Sequence, residues 1–99
     1  MTKVFYNYSG EKNQALIRER NISFEEVIAA IDNGGLLEVV EHHNQRVYPG
    51  QKIYVVLAND YVYLVPFVKC ADGTIFLKTI IPSRKAKKIY VDNEVLNEE

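Results

Sequence analysis

Ser23-Phe24-Glu25-Glu26-Val27-Ile28-Ala29-Ala30-Ile31-Asp32-Asn33-Gly34-Gly35-Leu36-Leu37-Glu38-Val39-Val40 is the stretch in which this chain changes texture. Its first part has a serine cap with a glutamate three residues on, the pattern of a capping box, followed by Phe24, Val27, Ile28 and Ile31 at helical spacing. Asn33-Gly34-Gly35 supplies the residues that end a helix. From Leu36 onward the apolar residues come in β-branched and aromatic runs instead, so the fold is expected to be helices first and strands after.

Working back from that junction, Ser9 is placed to cap an earlier helix through Lys12, Leu16 and Arg20, preceded by a short apolar start at Val4–Tyr6. Working forward, Pro49-Gly50, Asn59-Asp60 and Ala71-Asp72-Gly73 read as turns between strands at 36–41, 52–57, 61–68 and 74–81. The expected architecture is α+β: a small antiparallel four-stranded sheet preceded by two helices and followed by a short C-terminal helix after Pro82. Ile53, Val55 and Leu57 alternate with Lys52, Tyr54 and Val56, so both faces of the sheet are mostly apolar and need cover. Pro66 inside the third strand favours a bulge or an unpaired position there.

Ninety-nine residues, 47% of them hydrophobic, fit one domain with one modest core over 1–99, the acidic end at 92–99 being read as a frayed tail. The lone Cys70 excludes an internal disulfide, and histidines and cysteines are too few for a structural zinc site; no metal or cofactor is expected. The chain shows neither a signal-peptide core nor an apolar run long enough for a membrane span, which suggests a cytoplasmic protein with no membrane partner.

The net charge of −1 hides an uneven distribution. Residues 1–50 carry five basic and seven acidic side chains, 51–91 seven and two, and 92–99 four acids, so −2, +5 and −4 add to −1. The basic middle culminates in Ile80-Ile81-Pro82-Ser83-Arg84-Lys85-Ala86-Lys87-Lys88, where an apolar run stops at proline and a basic helix begins. Arg84 and Lys85 in a first helical turn sit near unpaired N–H groups and the positive end of the helix dipole, a conflict that an anion such as phosphate relieves.

Familiar catalytic motifs are absent: no Ser-His-Asp signature, no glycine-rich phosphate loop, no HExxH helix. What remains is a constellation: Lys52, Lys69 and Lys78 on strands expected to be neighbours, Arg84, Lys85 and Lys88 after the last strand, and Tyr61, Tyr63 and Tyr90. Cleavage of RNA at its 2′-hydroxyl needs a proton acceptor, a proton donor for the leaving oxygen and cations for the phosphorane, all of which Lys, Arg and Tyr can supply. Tyrosines can also stack on unpaired bases. His42 and His43 are adjacent, so on a strand they face opposite sides and do not form a metal pair; His42 is a candidate acid or base.

Two segments carry a family resemblance. Glu11-Lys12-Asn13 with Arg20-Asn21-Ile22-Ser23-Phe24-Glu25-Glu26, and Ile80-Ile81-Pro82-Ser83-Arg84-Lys85-Ala86 with Tyr90 beyond, resemble the BrnT-like toxins of bacterial type II toxin–antitoxin systems, small members of the RelE/ParE-like superfamily. The order of elements is similar over most of the chain and the residues over about a third. The sequence departs from the family pattern at Arg20-Asn21, Pro82 and Ser83, and its 42–51 segment has no counterpart there. The resemblance implies a RelE-like fold, a metal-independent endoribonuclease that cleaves mRNA and arrests translation, RNA as substrate either free or on the ribosome, and a cognate antitoxin with which it forms an oligomer.

Residue by residue the resemblance implicates Arg84, and more weakly Lys12 and Glu25. Taken with the strand reading, the expected catalytic set is Arg84, Lys78, Tyr90 and His42, and the expected RNA-binding set Lys52, Lys69, Lys85, Lys88 and Tyr63. A second reading, from another class, keeps the fold without the enzyme: a protein-binding module that captures a partner on an exposed strand edge or aromatic face.

Overall fold

A computed structural model describes residues 4–92. Three helices and six strands follow in the order β1 (Tyr6–Tyr8), α1 (Gly10–Arg20), α2 (Phe24–Asp32), β2 (Leu36–Glu41), β3 (Lys52–Ala58), β4 (Tyr61–Lys69), β5 (Ile75–Leu77), β6 (Ile81–Pro82) and α3 (Arg84–Tyr90). The fold is therefore α+β, as the sequence suggests, but the sheet is not four antiparallel strands. Its order is β1-β5-β4-β3-β2, with β6 also on β4, and β1 runs parallel to β5. The acidic residues 93–99 lie outside the described residues.

The helices begin and end where local chemistry dictates. Ser9 accepts from the Lys12 N–H at 3.1 Å, and Asn21 in the left-handed region closes α1. The Ser23–Glu26 capping box is complete in both directions and opens α2. Between them Asn13, buried in α1, accepts from the Phe24 N–H at 2.8 Å and donates to Glu25 at 2.7 Å, so one amide side chain locks the α1–α2 corner. Gly35 begins the passage into β2: a Cβ there would stand 2.5 Å from the Leu57 carbonyl oxygen and 2.8 Å from that of Ala30. Only a glycine lets helix end and strand approach this closely.

The break in the last strand has a source on its neighbour. In an antiparallel ladder the N–H and C=O of one residue point to the same neighbour. Pro66 accepts from the Lys78 N–H at 2.8 Å, so its nitrogen also faces the β5 side, where it has no hydrogen to return. The last strand breaks there: β5 ends at Leu77 and pairing with β4 resumes only at Ile81–Pro82. The sequence expectation of a continuous strand over 74–81 is corrected accordingly, and the short β1, expected only as an apolar start, fills the outer edge of β5.

The sheet is covered on both faces by different means. Tyr54, Val56, Val65, Phe67, Ile75 and Leu77 pack with Leu16, Ile22, Phe24 and Val27 of the α1–α2 layer in the main core. The other face carries Val55, Val62, Leu57 and Leu64, against which α3 sets a single buried residue, Ala86. Burial pushes the Tyr54 phenol, partnered by Tyr6 within the main core, up to about 12.

Asn13→Ala leaves the buried Phe24 N–H without a partner, and equilibrium urea unfolding is expected to show a loss of about 1–3 kcal/mol. Glu25, held below the usual carboxylate range chiefly by the Asn13 hydrogen bond, gives a pH signature. Because its folded value is depressed, its contribution is present above the unfolded value and disappears as pH falls through the folded one. Glu25→Gln is therefore expected to flatten the acid limb of a stability–pH curve, and an unchanged acid limb would contradict the assignment.

Candidate functional site

The face opposite α1 and α2 holds the groups able to do chemistry. Ser83 caps α3, accepting from the Ala86 N–H at 3.1 Å, while its own N–H donates to the Val62 carbonyl at 2.9 Å and anchors the helix start to β4. Seven residues long, with no acid in its first turn, α3 covers the sheet only in part. A trough of about 230 Å³ remains between it and β2, floored by Val40, Val55 and Leu64 and walled by Ser83, Lys85, Ala86, Ile89 and Tyr90.

At the rim, Tyr90 donates its hydroxyl to the Glu38 carboxylate. Glu38 reaches this side because of a register shift: Leu36 pairs with Val56 but Glu38 pairs with Val55, so one extra residue turns the strand over. From that point Glu38 and Val40 share the α3 side with Val55 and Ile53. The Glu38 hydrogen bond is the main cause that raises the Tyr90 phenol above its ordinary value, with burial second. Tyr90 is thus a standing donor, and the carboxylate beside it is the oriented acceptor.

Arg84 is exposed at the first position of α3, with Lys88 one turn on; Lys85 reaches the trough. Among the described residues none of these three has a hydrogen-bond or ion-pair partner, whereas Lys87 is engaged by Asp92 at 3.1 Å. The N-terminus of so short a helix contributes little dipole, so any attraction for an anion on this side rests on the side-chain cations. Lys78 lies on the same side, its ammonium 5.8 Å from the Phe76 ring centroid and its N–H on Pro66, two residues along β4 from Leu64. His42 extends β2 by one step, its N–H donating to the Gln51 carbonyl at 3.0 Å, which by alternation sets it with Glu38 and Val40.

The remaining expected residues lie elsewhere. Tyr63 packs on the main core, where burial and then Glu26 raise its phenol. Lys52 is in register with Phe67, and Lys69 stands two residues beyond Phe67, so both belong to the α1–α2 side. The structure does not gather the three strand lysines: Lys78 is on one face and Lys52 and Lys69 on the other. Lys12 is exposed on α1 and Glu25 is tied to Asn13, also on that far side.

Glu38 is the residue that strand alternation misses, because the bulge that reverses its direction leaves no mark in the LLEVVE run. Among the described residues no three His, Cys, Asp or Glu side chains cluster as metal ligands, and no helix is long and apolar enough to cross a membrane. Comparison with protein-family models, with characterised proteins and with solved structures gave no match.

Glu38→Gln keeps an acceptor at the rim but removes the negative charge. Site-resolved titration of the Tyr90 ring by NMR is expected to show its ionisation moving down toward the ordinary phenol range near 10 in that variant. A Tyr90 titration identical in the two proteins would show that the contact does not govern the phenol.

Proposed function

We propose that the protein is a metal-independent endoribonuclease, the toxin of a type II toxin–antitoxin pair, and that RNA is cut along the α3 side of the sheet. The observation that carries this reading is the assembly on one face of an oriented carboxylate and phenol, Glu38 and Tyr90, with Lys85 in the wall of the same trough and Arg84 at the exposed start of the same helix. The resemblance to BrnT-like toxins supports it from the sequence, and the α+β order, with two helices before the β2–β4 meander and a basic helix after the last strand, is compatible with it.

In the proposed reaction the Glu38 carboxylate takes the proton of a ribose 2′-hydroxyl, whose oxygen attacks the adjacent phosphorus. Tyr90 holds Glu38 in place by donating its hydroxyl proton to one carboxylate oxygen, which leaves the carboxylate's other lone pairs for the ribose proton. Arg84 and Lys85 stabilise the charge that builds on the phosphorane oxygens. The 5′ oxygen leaves with a proton drawn from the same side, where Lys78 and His42 stand, and the products are a 2′,3′-cyclic phosphate and a 5′-hydroxyl. A cognate antitoxin would neutralise the toxin.

Induced expression at matched soluble levels tests the reading: wild type is expected to arrest growth and to leave new RNA ends, and Arg84→Ala to do neither. Arg84→Lys should restore activity only in part, since lysine lacks the bidentate fork. Glu38→Gln is expected to reduce cleavage by about 10²–10⁴-fold, the usual worth of a general base, with Tyr90→Phe costing less. Full toxicity from folded Arg84→Ala and Glu38→Gln would remove the site.

One observation favours the second reading, a partner-binding module: the trough is floored by aliphatic side chains and Ile89 stands exposed at its wall. If wild type leaves growth and RNA untouched, this apolar floor becomes the stronger basis for a function.

A further inference from the structure

The loop between β2 and β3 is organised to a degree that its length and exposure do not require. The Gln45 side-chain amide donates to both the His42 carbonyl (2.7 Å) and the Gln51 carbonyl (3.1 Å), and its oxygen accepts from the Gly50 N–H at 3.0 Å. Asn44 accepts from the Val47 N–H at 3.3 Å through its side chain and from the Tyr48 N–H at 3.0 Å through its carbonyl. These bonds fix a cluster of three rings around His42: it stacks on His43, 4.7 Å away at 20°, and meets Tyr48, 4.4 Å away, at a tilt of 39°. The two histidines therefore do not face opposite sides as strand alternation would have them, because β2 ends at Glu41. The Asn44 N–H donates to His42 Nδ1 at 3.1 Å, which locks the His42 ring's orientation and leaves its proton on Nε2 when neutral.

A buried cluster would need no function, but this one is at the surface. Tyr48 is 45% exposed and His43 is exposed, so the two rings that contact His42 are open to solvent while His42 holds them in place. Arg46 lies in the same loop, and His42 follows Val40, a floor residue of the trough, by about 7 Å along the strand direction. Preset rings with an arginine in the same loop suit an unpaired base: the ring offers a π-face without an ordering cost, and the cation can take a phosphate. A protein-docking hot spot would instead be expected in a well-packed, desolvated pocket, whereas Val47 and Pro49, the loop's aliphatic side chains between His42 and Gln51, are both exposed.

We propose that the 42–51 loop is a stacking platform for an unpaired RNA base flanking the scissile phosphate, with Tyr48 as the contacting ring and His42 as the residue that positions it. The proposal rests on the ribonuclease reading for its ligand, but it concerns binding and is tested by binding. The probe is a short fluorescein-labelled single-stranded RNA without secondary structure, titrated by anisotropy over a series of salt concentrations. Tyr48→Ala is expected to weaken binding by about fivefold or more with the salt dependence unchanged, because a stacking contact is lost and no charge is removed. Tyr48→Phe is expected to bind as wild type does, and His42→Ala to fall between them.

Unchanged affinity in folded Tyr48→Ala would overturn the platform even if Arg84→Ala abolishes cleavage. Stacking-dependent binding by a wild type that cuts no RNA would uphold the platform and sink the enzyme. No binding by wild type at all would overturn the platform and point to the loop rings as a contact for another protein.

Discussion

Everything in this molecule follows from two central strands that are apolar on both faces. β3 and β4 put Tyr54, Val56, Val65 and Phe67 on one side and Val55, Leu57, Val62 and Leu64 on the other. Such a sheet cannot leave either side to water without exposing a large apolar surface. The chain solves the two sides unequally: α1 and α2 supply a full layer with Leu16, Ile22, Phe24 and Val27, whereas α3 supplies only Ala86 as a buried contact. The incompleteness of the second layer is what creates the trough, and Lys85 of the basic helix lines it.

Two backbone irregularities then decide which side chains meet there. The bulge after Leu36 turns Glu38 to the α3 side, where Tyr90 finds it. The absent N–H of Pro66 ends β5 early and lets the chain drop back onto β4 at Ile81, which fixes where Ser83 can cap α3. Arg20 reinforces this return by donating to the Ile80 carbonyl, so the end of α1 and the break in the sheet are tied across the main core. Structure at the site is therefore set by departures from regular pairing more than by the regular pairing itself.

The sequence discloses the elements whose causes are local. The Ser9 cap, the Ser23–Glu26 box, the Asn-Gly-Gly stop and the turns at Asn59-Asp60 and Asp72-Gly73 each lie within a few residues of what they control, and each reads correctly from the chain alone. Three features escape because their causes lie across space. β1 is only Tyr-Asn-Tyr, and what makes it a strand is a parallel partner at the far end of the described chain. The break in the last strand is written in Pro66, on its neighbour. The lysines at 52, 69 and 78 look like a set only while faces are unassigned; register with Phe67 and Phe76 divides them. Of the candidate site, Arg84, Lys85 and Tyr90 are legible as a basic helix with a late tyrosine, and Glu38 is not, since its direction is a property of the bulge.

The parallel pairing of β1 with β5 orders the birth of the fold in time. A ribosome releases Tyr6–Tyr8 first, yet the strand they join, Ile75–Leu77, is made only after the whole meander has been synthesised. The Tyr6, Tyr8 and Phe24 rings must therefore wait in a nascent chain whose α1–α2 layer has no sheet to rest on, Tyr8 and Phe24 being stacked 4.8 Å apart in the finished protein. Such a chain completes its edge, and with it the Tyr54–Tyr6 contact of the main core, only once β5 has followed the meander out of the ribosome. α3 is synthesised after β5, so whatever activity resides on its side follows the strand that lets the edge close.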